Sequence, residues 1–131
     1  MVGLVIVSHS KKIAEGVVDL AREMAGPDLA LIAAGGLDDG GIGTDAFRIK
    51  AAIEEADRGS GVLILADLGS ALMSAETAIE FLREEDNMVN VRIADAPLVE
   101  GAISAAVTAS TNSTLEEALT AAIEAKLASK L

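Results

Sequence analysis

The chain has 131 residues, which is enough for one domain with a packed core, and we expect a single domain over residues 1–131. Its net charge of −11 argues against nucleic acids and anionic membranes as partners, because clustered lysines and arginines bind phosphate groups. The chain has no cysteine, which excludes disulfides, a thiolate nucleophile and cysteine-based metal sites.

The apolar residues make up 51% of the chain but aromatic residues only 2%, so the core must consist of small and branched aliphatic side chains. No uncharged apolar window approaches the roughly 18 residues of a membrane span, and the first residues lack the pattern of a secretory signal. We therefore expect a cytoplasmic protein. The acidic charge either steers a basic protein partner or simply aids solubility.

The first predicted strand leads directly to the only histidine of the chain. Leu4–Val7 is a β-branched, apolar run typical of a strand buried on both faces of a parallel sheet. Ser10 is a residue type favoured at helix N-caps. The apolar residues that recur after it at helical spacing are Ile13, Val17, Leu20 and Met24. His9 therefore lies on a strand-to-helix turn, which suits a phosphate, although a lone histidine is more often a surface or capping residue.

A second predicted strand, Leu29–Ala34, is followed by a glycine-rich loop. Residues 35–43 include five glycines among nine residues, a stretch too flexible to hold regular structure unaided. We expect an active-site loop, with a disordered surface connection as the alternative. Thr44 is placed to cap the next helix, whose apolar stripe includes Ile49 and Ile53.

The third predicted strand, Val62–Ala66, ends in Asp67, as the first ends near His9. Gly69 and Ser70 begin the helix that follows it. Met88–Ile93 alternates polar and apolar residues, which is typical of an edge strand with one partly solvated face.

Two helices are predicted at the end of the chain. Leu98–Ser110, preceded by Pro97, is rich in alanine and suits close packing on another backbone. The last helix begins at residues 113–116, which we interpret as a capping box. The order βαβαβαβαα predicts an α/β fold with a doubly wound, mainly parallel four-stranded sheet of order 2-1-3-4 and helices on both faces.

This strand order brings two polar side chains together. Neighbouring strands lie about 4.8 Å apart, so His9 and Asp67 should meet at the topological switch point. A carboxylate that accepts the proton of one imidazole nitrogen leaves the other nitrogen free as a nucleophile for a phosphoryl group. The glycine-rich loop, the N–H groups after His9, and Gly69–Ser70 are positioned to donate to phosphoryl oxygens.

Other chemistries fit the sequence less well. One histidine with scattered carboxylates makes a poor metal site, and Asp38-Asp39 lacks further ligands at calcium-loop spacing, so we expect no metal and no cofactor. There is no G-x-S-x-G motif for a hydrolase serine. There is also no G-x-x-x-x-G-K-[ST] motif for binding ATP in a P-loop.

Four separated blocks of sequence resemble the phosphotransferase subunits of bacterial dihydroxyacetone kinase. They are residues 5–10 (VIVSHS), 43–46 (GTDA), 67–78 (DLGSALMSAETA) and 96–101 (APLVEG). The resemblance runs from about Val2 to Ser110. More distantly, the chain is similar to the mannose-type enzyme IIA domains of the phosphoenolpyruvate-dependent sugar phosphotransferase system, which share the histidine and the aspartate.

The resemblance implies that the histidine phosphocarrier protein phosphorylates His9. His9 then passes the group to ADP held in the nucleotide-binding subunit of the kinase. By this likeness Asp67 orients His9, and Ser10, Gly43–Thr44 and Gly69–Ser70 shape the pocket for phosphate and partner. It also implies a homodimer. Some relatives continue into carrier-like and enzyme I-like domains, so a chain ending at residue 131 is expected to use a separate carrier.

Two other functions remain open at this point. One is a non-catalytic regulatory module whose phosphorylated state is sensed by a transcription factor or transporter, and the other is a sugar-transport component of mannose type. The block at residues 67–70 lacks the aromatic residue and paired glycines typical of the sugar-transport branch. Mannose-type domains also exchange a further strand between protomers, and no strand is predicted after Pro97.

Overall fold

The computed structural model describes residues 1–131, and its centre is a parallel sheet of four strands. The strands are β1 (Gly3–Ser8), β2 (Leu31–Gly35), β3 (Val62–Ala66) and β4 (Val91–Ile93). They lie in the order β2-β1-β3-β4, and every neighbouring pair is parallel. The predicted α/β class, strand order and parallel pairing are confirmed.

Five α-helices cover the two faces of the sheet. They are α1 (Lys11–Ala25), α2 (Ala46–Ala56), α3 (Gly69–Glu84), α4 (Leu98–Ser110) and α5 (Leu115–Glu124). Buried residues of α1, α4 and α5 share one core with one face of the sheet, while those of α2 and α3 share a second core with the opposite face. A 3₁₀ turn at Ala125–Leu127 follows α5. The fold is therefore doubly wound, as predicted.

Strand β1 is central because both of its faces are apolar. Leu4 and Ile6 belong to the core under α1, α4 and α5, whereas Val5 and Val7 belong to the core under α2 and α3. All six residues of the strand are buried. Side chains of a strand alternate between faces, so a run of aliphatic residues stabilises both layers at once.

The layers approach closely because the helices present small side chains. In α4, Ala102, Ala105, Ala106 and Ala109 are completely buried. A Cβ atom at Gly3 of β1 would lie 2.1 Å from the carbonyl oxygen of Ala56 at the end of α2. The helices and the sheet therefore pack closely through alanine and glycine, without large aromatic side chains between them. No helix of the structure is long and apolar enough to span a membrane.

Several predicted boundaries were wrong. The N-cap of α2 is Asp45 and not Thr44, because the Asp45 carboxylate accepts the N–H of Phe47. The capping box of α5 pairs Thr114 with Glu117, one residue later than predicted. Strand β2 begins at Leu31, and β4 is confined to Val91–Ile93, so both strands are shorter at their N-terminal ends than the apolar runs suggested.

Helix α1 begins where it was predicted, but its apolar residues are divided between core and surface. Its buried residues are Ala14, Val17 and Ala21. Ile13, Leu20 and Met24 are exposed. The helix therefore carries one apolar face toward the sheet and a second, adjacent one toward solvent.

We predict opposite effects for two glycine-to-alanine substitutions. Gly3→Ala should lower the free energy of unfolding by about 1–3 kcal/mol, because the added Cβ forces β1 and the end of α2 apart. Gly16→Ala should raise it by about 0.5–1 kcal/mol, since Gly16 lies within α1 and a Cβ there meets nothing within 4 Å. Urea unfolding measures both. A Gly3→Ala protein as stable as the parent would contradict the close approach.

Candidate active site

The register between β1 and β3 brings the two sequence-predicted residues together. Val7 pairs with Ala66, and the N–H of Asp67 donates to the carbonyl of Val7 at 3.2 Å. His9 and Asp67 therefore leave the sheet at the same edge. Nδ1 of His9 lies 2.9 Å from Oδ1 of Asp67.

The Asp67 carboxylate is the centre of a network of four hydrogen bonds. Oδ1 faces Nδ1 of His9 and accepts the N–H of Leu68 at 2.7 Å. Oδ2 accepts the hydroxyl of Ser8 at 2.8 Å and the N–H of His9 at 3.0 Å. An ionised carboxylate is acceptor-only, so the network assigns the proton of the imidazole to Nδ1.

The same network keeps Asp67 ionised. Burial acts to raise the pKa of the Asp67 carboxyl, but the hydrogen bonds from the His9 side chain, the Ser8 hydroxyl and the N–H groups of His9 and Leu68 together outweigh burial. They hold this pKa below its usual value. Asp67 is therefore a charged partner for the ring and a poor proton acceptor at neutral pH.

The second ring nitrogen of His9 faces helix α3. Its Nε2 lies 2.5 Å from the hydroxyl oxygen of Ser70, a residue in the first turn of that helix. Because Nδ1 carries the proton, Nε2 carries a lone pair and the Ser70 hydroxyl is the donor. The hydroxyl must turn away before an electrophile can bond to Nε2.

The start of α3 offers free donors beside this nitrogen. The N-cap residue Leu68 provides no side-chain hydrogen bond, and the N–H groups of Gly69 and Ser70 have no acceptor within the protein. Unpaired N–H groups and the helix dipole together favour an anion at this position. Gly69 has no side chain that would obstruct it.

The glycine-rich loop is ordered and is bonded to the backbone of the site. The N–H of Gly43 donates to the carbonyl of His9 at 2.8 Å, and the N–H of Gly36 donates to the carbonyl of Ser8 at 3.2 Å. Gly43 has a φ of 150°, and a Cβ there would lie 3.1 Å from the Leu37 side chain. Its N–H is already used, so Gly43 supports the His9 backbone.

Ser10 and Thr44 also support the surrounding backbone. The Ser10 hydroxyl accepts the N–H of Ile13 at 3.3 Å as the N-cap of α1. The Thr44 hydroxyl lies 2.6 Å from that of Ser74, which connects the loop before α2 to α3. Of the seven sequence-predicted site residues, the structure therefore brings Asp67 and Ser70 into contact with the His9 ring, and Gly69 begins the helix beside it.

Sequence reasoning missed Ser8 as a member of the site. It is the one polar residue of the buried set, with no exposed surface, and it bonds directly to Asp67. The available signal was its position: it is the single hydroxyl residue at the end of an otherwise aliphatic strand.

The His9 side chain does not line the cavity that lies beside Asp67. A cavity of about 380 Å³ lies between the ends of β3 and β4 and the start of α3; Asp67 lines it, but His9 does not. No group of three or more His, Asp or Glu side chains is arranged to hold a metal ion. The His9 side chain is 20% exposed, so solvent reaches part of the ring.

Two solved structures have a fold similar to that of this chain. A crystal structure of a protein of unknown function is 36% identical, with a TM-score of 0.81 over 95% of both chains. The phosphotransferase system component EIIA from Streptococcus agalactiae is 15% identical, with a TM-score of 0.69 over 97% of this chain and 93% of that one, which shows a shared fold.

Two curated relatives are similar over most of this chain. The "PEP-dependent dihydroxyacetone kinase, phosphoryl donor subunit DhaM" of Escherichia coli is 46% identical over 95% of this chain, which spans only 27% of that protein. The "PEP-dependent dihydroxyacetone kinase 2, phosphoryl donor subunit DhaM" of Listeria innocua is 42% identical over 91% of this chain and 94% of its own length. Residues 3–119 match the family described as PTS system fructose IIA component. The chain therefore belongs to the PTS fructose IIA component family and, within it, to the DhaM subunits.

Proposed function

We propose that this chain is the phosphoryl donor component of a phosphoenolpyruvate-dependent dihydroxyacetone kinase and that it carries the phosphoryl group on Nε2 of His9. The observation that carries the proposal is the pairing of Nδ1 with Asp67 at 2.9 Å, which directs the lone pair of Nε2 toward the start of α3. The names of the DhaM relatives favour this function over mannose-type sugar transport.

The first step is nucleophilic attack by Nε2 on the phosphorus of a phosphorylated histidine phosphocarrier protein. A P–N bond forms at Nε2 while the donor's P–N bond breaks, and the electron pair of that bond returns to the donor imidazole. The His9 ring becomes positively charged, and the adjacent Asp67 carboxylate stabilises that charge. The N–H groups of Gly69 and Ser70 are placed to bind the phosphoryl oxygens.

The second step passes the group to ADP in the nucleotide-binding subunit of the kinase. A terminal oxygen of ADP bonds to phosphorus, the P–Nε2 bond breaks, and its electron pair returns to Nε2. ATP therefore forms on the partner. A relay that ends on ADP operates where adenine nucleotides are held, so we place it in the cytoplasm, with residues 1–131 acting as one phosphocarrier domain.

The surroundings of His9 suit short-lived protein contacts. Ile42, Leu68 and Met73 are 74%, 64% and 69% exposed on the loop and helix that flank the site. Exposed apolar side chains next to a reactive group are typical of an interaction surface. The net charge of −11 would attract partners with basic surfaces and steer their approach.

We also propose that the predicted homodimer forms through the outer surface of α4 and the adjacent part of α1. By the α1–α4 face we mean the exposed apolar residues Ile13, Leu20 and Met24 of α1 and Val99 and Val107 of α4, together with Ile103. Ile103 and Val107 also line a groove shared with Ala121 of α5. Residues 98–114 contain one charged residue, Glu100, whose carboxylate is paired with Lys130 at 2.9 Å. In so acidic a chain, an uncharged apolar face is where two copies approach with least repulsion.

Phosphorylation of the chain tests the central proposal. Incubation with phosphoenolpyruvate, enzyme I and the histidine phosphocarrier protein should add one acid-labile phosphoryl group, detected by intact mass and assigned to His9 by peptide mapping. The group should then move to ADP when the nucleotide-binding kinase subunit is added. A His9→Ala protein that still gained the phosphoryl group would disprove this function, and Lys12→Ala serves as a folded control.

Asp67→Asn should slow phosphoryl transfer to and from His9 by at least about tenfold, the equivalent of 1.4 kcal/mol in the barrier. Asparagine has one acceptor oxygen, so its NH₂ group must face the N–H of either His9 or Leu68. The variant should therefore also unfold more easily, by about 1–3 kcal/mol. Rapid-quench assays measure the rate of phosphoryl transfer, and urea unfolding measures the change in stability.

The stability difference between parent and Asp67→Asn should depend on pH. Because the folded-state pKa of Asp67 is lowered, its stabilising effect is complete above the unfolded value of about 3.9 and is lost as pH falls toward the folded value. The difference should therefore narrow below about pH 4. A difference that stayed constant from neutral to acidic pH would show that the charge of Asp67 does not stabilise the site.

Val107→Asp should convert the dimer to a monomer, because it places a charge on the α1–α4 face. Light scattering during gel filtration distinguishes the 13.3 kDa chain from a species of twice that mass. Met88→Asp is the matched control, since Met88 is 75% exposed on another surface. A dimer that survives Val107→Asp and Leu20→Asp would place the interface elsewhere.

A further inference from the structure

Ser8 occupies an unusual position at the end of β1. Its side chain has no exposed surface, and it is the one polar residue within a set of buried aliphatic side chains. Its hydroxyl donates to Oδ2 of Asp67 at 2.8 Å and accepts the N–H of Ser10 at 3.0 Å. The hydroxyl therefore donates one hydrogen bond to the carboxylate and accepts one from the turn that carries His9.

We propose that Ser8 is the positioning residue of the phosphoryl-transfer site, whose hydroxyl fixes the Asp67 carboxylate so that Oδ1 holds the proton on Nδ1 of His9. This inference rests on the proposed function of His9. Ser8 touches neither the imidazole ring through its side chain nor the position of the phosphoryl group. It acts through Asp67 and through the backbone of the turn.

The carboxylate needs such a restraint because the final torsion of an aspartate side chain is soft. Oδ2 has two donors, the Ser8 hydroxyl and the N–H of His9. Without the hydroxyl, one backbone N–H alone would hold that oxygen. The plane of the carboxylate could then rotate, and Oδ1 would leave its position opposite Nδ1.

The Ser8 hydroxyl itself is closed off from solvent. Ser8 is completely enclosed, and its partner Gly35 in β2 is buried as well. A Cβ at Gly35 would lie only 2.7 Å from the carbonyl of Ser10, which shows how closely β2 packs against the turn. Removal of one hydroxyl from such a site leaves a space too small for water and an unpaired N–H at Ser10.

The position of the Nδ1 proton matters for the departure of the phosphoryl group. When the P–Nε2 bond breaks and its electron pair returns to Nε2, a ring that keeps the Nδ1 proton leaves as neutral imidazole. A ring that has lost this proton to Asp67 leaves as an imidazolate anion, which is a much poorer leaving group. A donor on Oδ2 lowers the basicity of the carboxylate and so keeps the proton on the ring.

Ser8→Ala separates this role from a merely structural one. We expect transfer to and from His9 to slow by at least about tenfold at saturating donor. The ring ¹⁵N spectrum of His9 should change from a single tautomer to a mixture, and the carboxyl ¹³C titration of Asp67 should move to higher pH. The matched control is Thr114→Ala, which removes a hydroxyl that caps α5 but touches nothing in the site.

Thr114→Ala should lose stability without any change in the tautomer or the transfer rate. Ser8→Cys keeps a weak donor in nearly the same volume and should fall between the parent and Ser8→Ala. A Ser8→Ala protein with the tautomer and rates of the parent would overturn the proposal. If Ser8→Ala fails to fold, a measurement on the parent protein tests the proposal instead. The Ser8 hydroxyl proton of the parent should exchange with solvent slowly enough to be observed by NMR. A rapidly exchanging proton would contradict the hydrogen bond to Asp67.

The spectra distinguish failure of this inference from failure of the proposed function. The tautomer of His9 and the titration of Asp67 are measured on the chain alone, without phosphoenolpyruvate or partner proteins. A parent chain that is never phosphorylated would disprove the proposed function, whereas an unchanged His9 tautomer in Ser8→Ala would disprove the proposed role of Ser8.

Discussion

The site depends on one partly buried carboxylate that accepts four hydrogen bonds. The donors to Asp67 come from the end of β1 and from the start of α3, so a single side chain joins the two central strands to the helix that borders Nε2 of His9. A carboxylate this well satisfied is charged and immobile. It orients an imidazole and stabilises positive charge on the ring without taking its proton.

Close packing of small side chains makes this arrangement possible. The Asp67 carboxylate reaches His9 only because β1 and β3 are adjacent and in register, and both strands are buried on both faces by alanine-rich helices. Gly3 and Gly35 permit approaches of backbone to backbone that a methyl group would prevent. Gly3 fixes α2 against β1, and Gly35 fixes the turn after His9 against β2.

The layout of the site could be predicted from the sequence, but its hydrogen bonds could not. Alternation of strands and helices predicted a parallel sheet, and the predicted order 2-1-3-4 places His9 beside Asp67. The cap of α2 was predicted wrongly because Thr44 and Asp45 are both good caps, and Thr44 is engaged by Ser74, which lies 30 positions away. Such long-range pairings, like the bond of Ser8 to Asp67, depend on side-chain rotamers that no local pattern encodes.

The contact between Ser70 and Nε2 of His9 bears on the proposed phosphoryl relay. A carrier must hold its phosphoryl group loosely enough to give it away, so neither the free nor the charged state can be far more stable than the other. In the free state the Ser70 hydroxyl satisfies the lone pair of Nε2. A phosphoryl group on Nε2 would displace that hydrogen bond and offer its own oxygens to the same hydroxyl and to the N–H groups of Gly69 and Ser70. Because the Ser70 hydroxyl can bond either to the free ring or to the phosphoryl group, it reduces the difference in free energy between the free and the phosphorylated state. A small difference is what allows transfer in either direction.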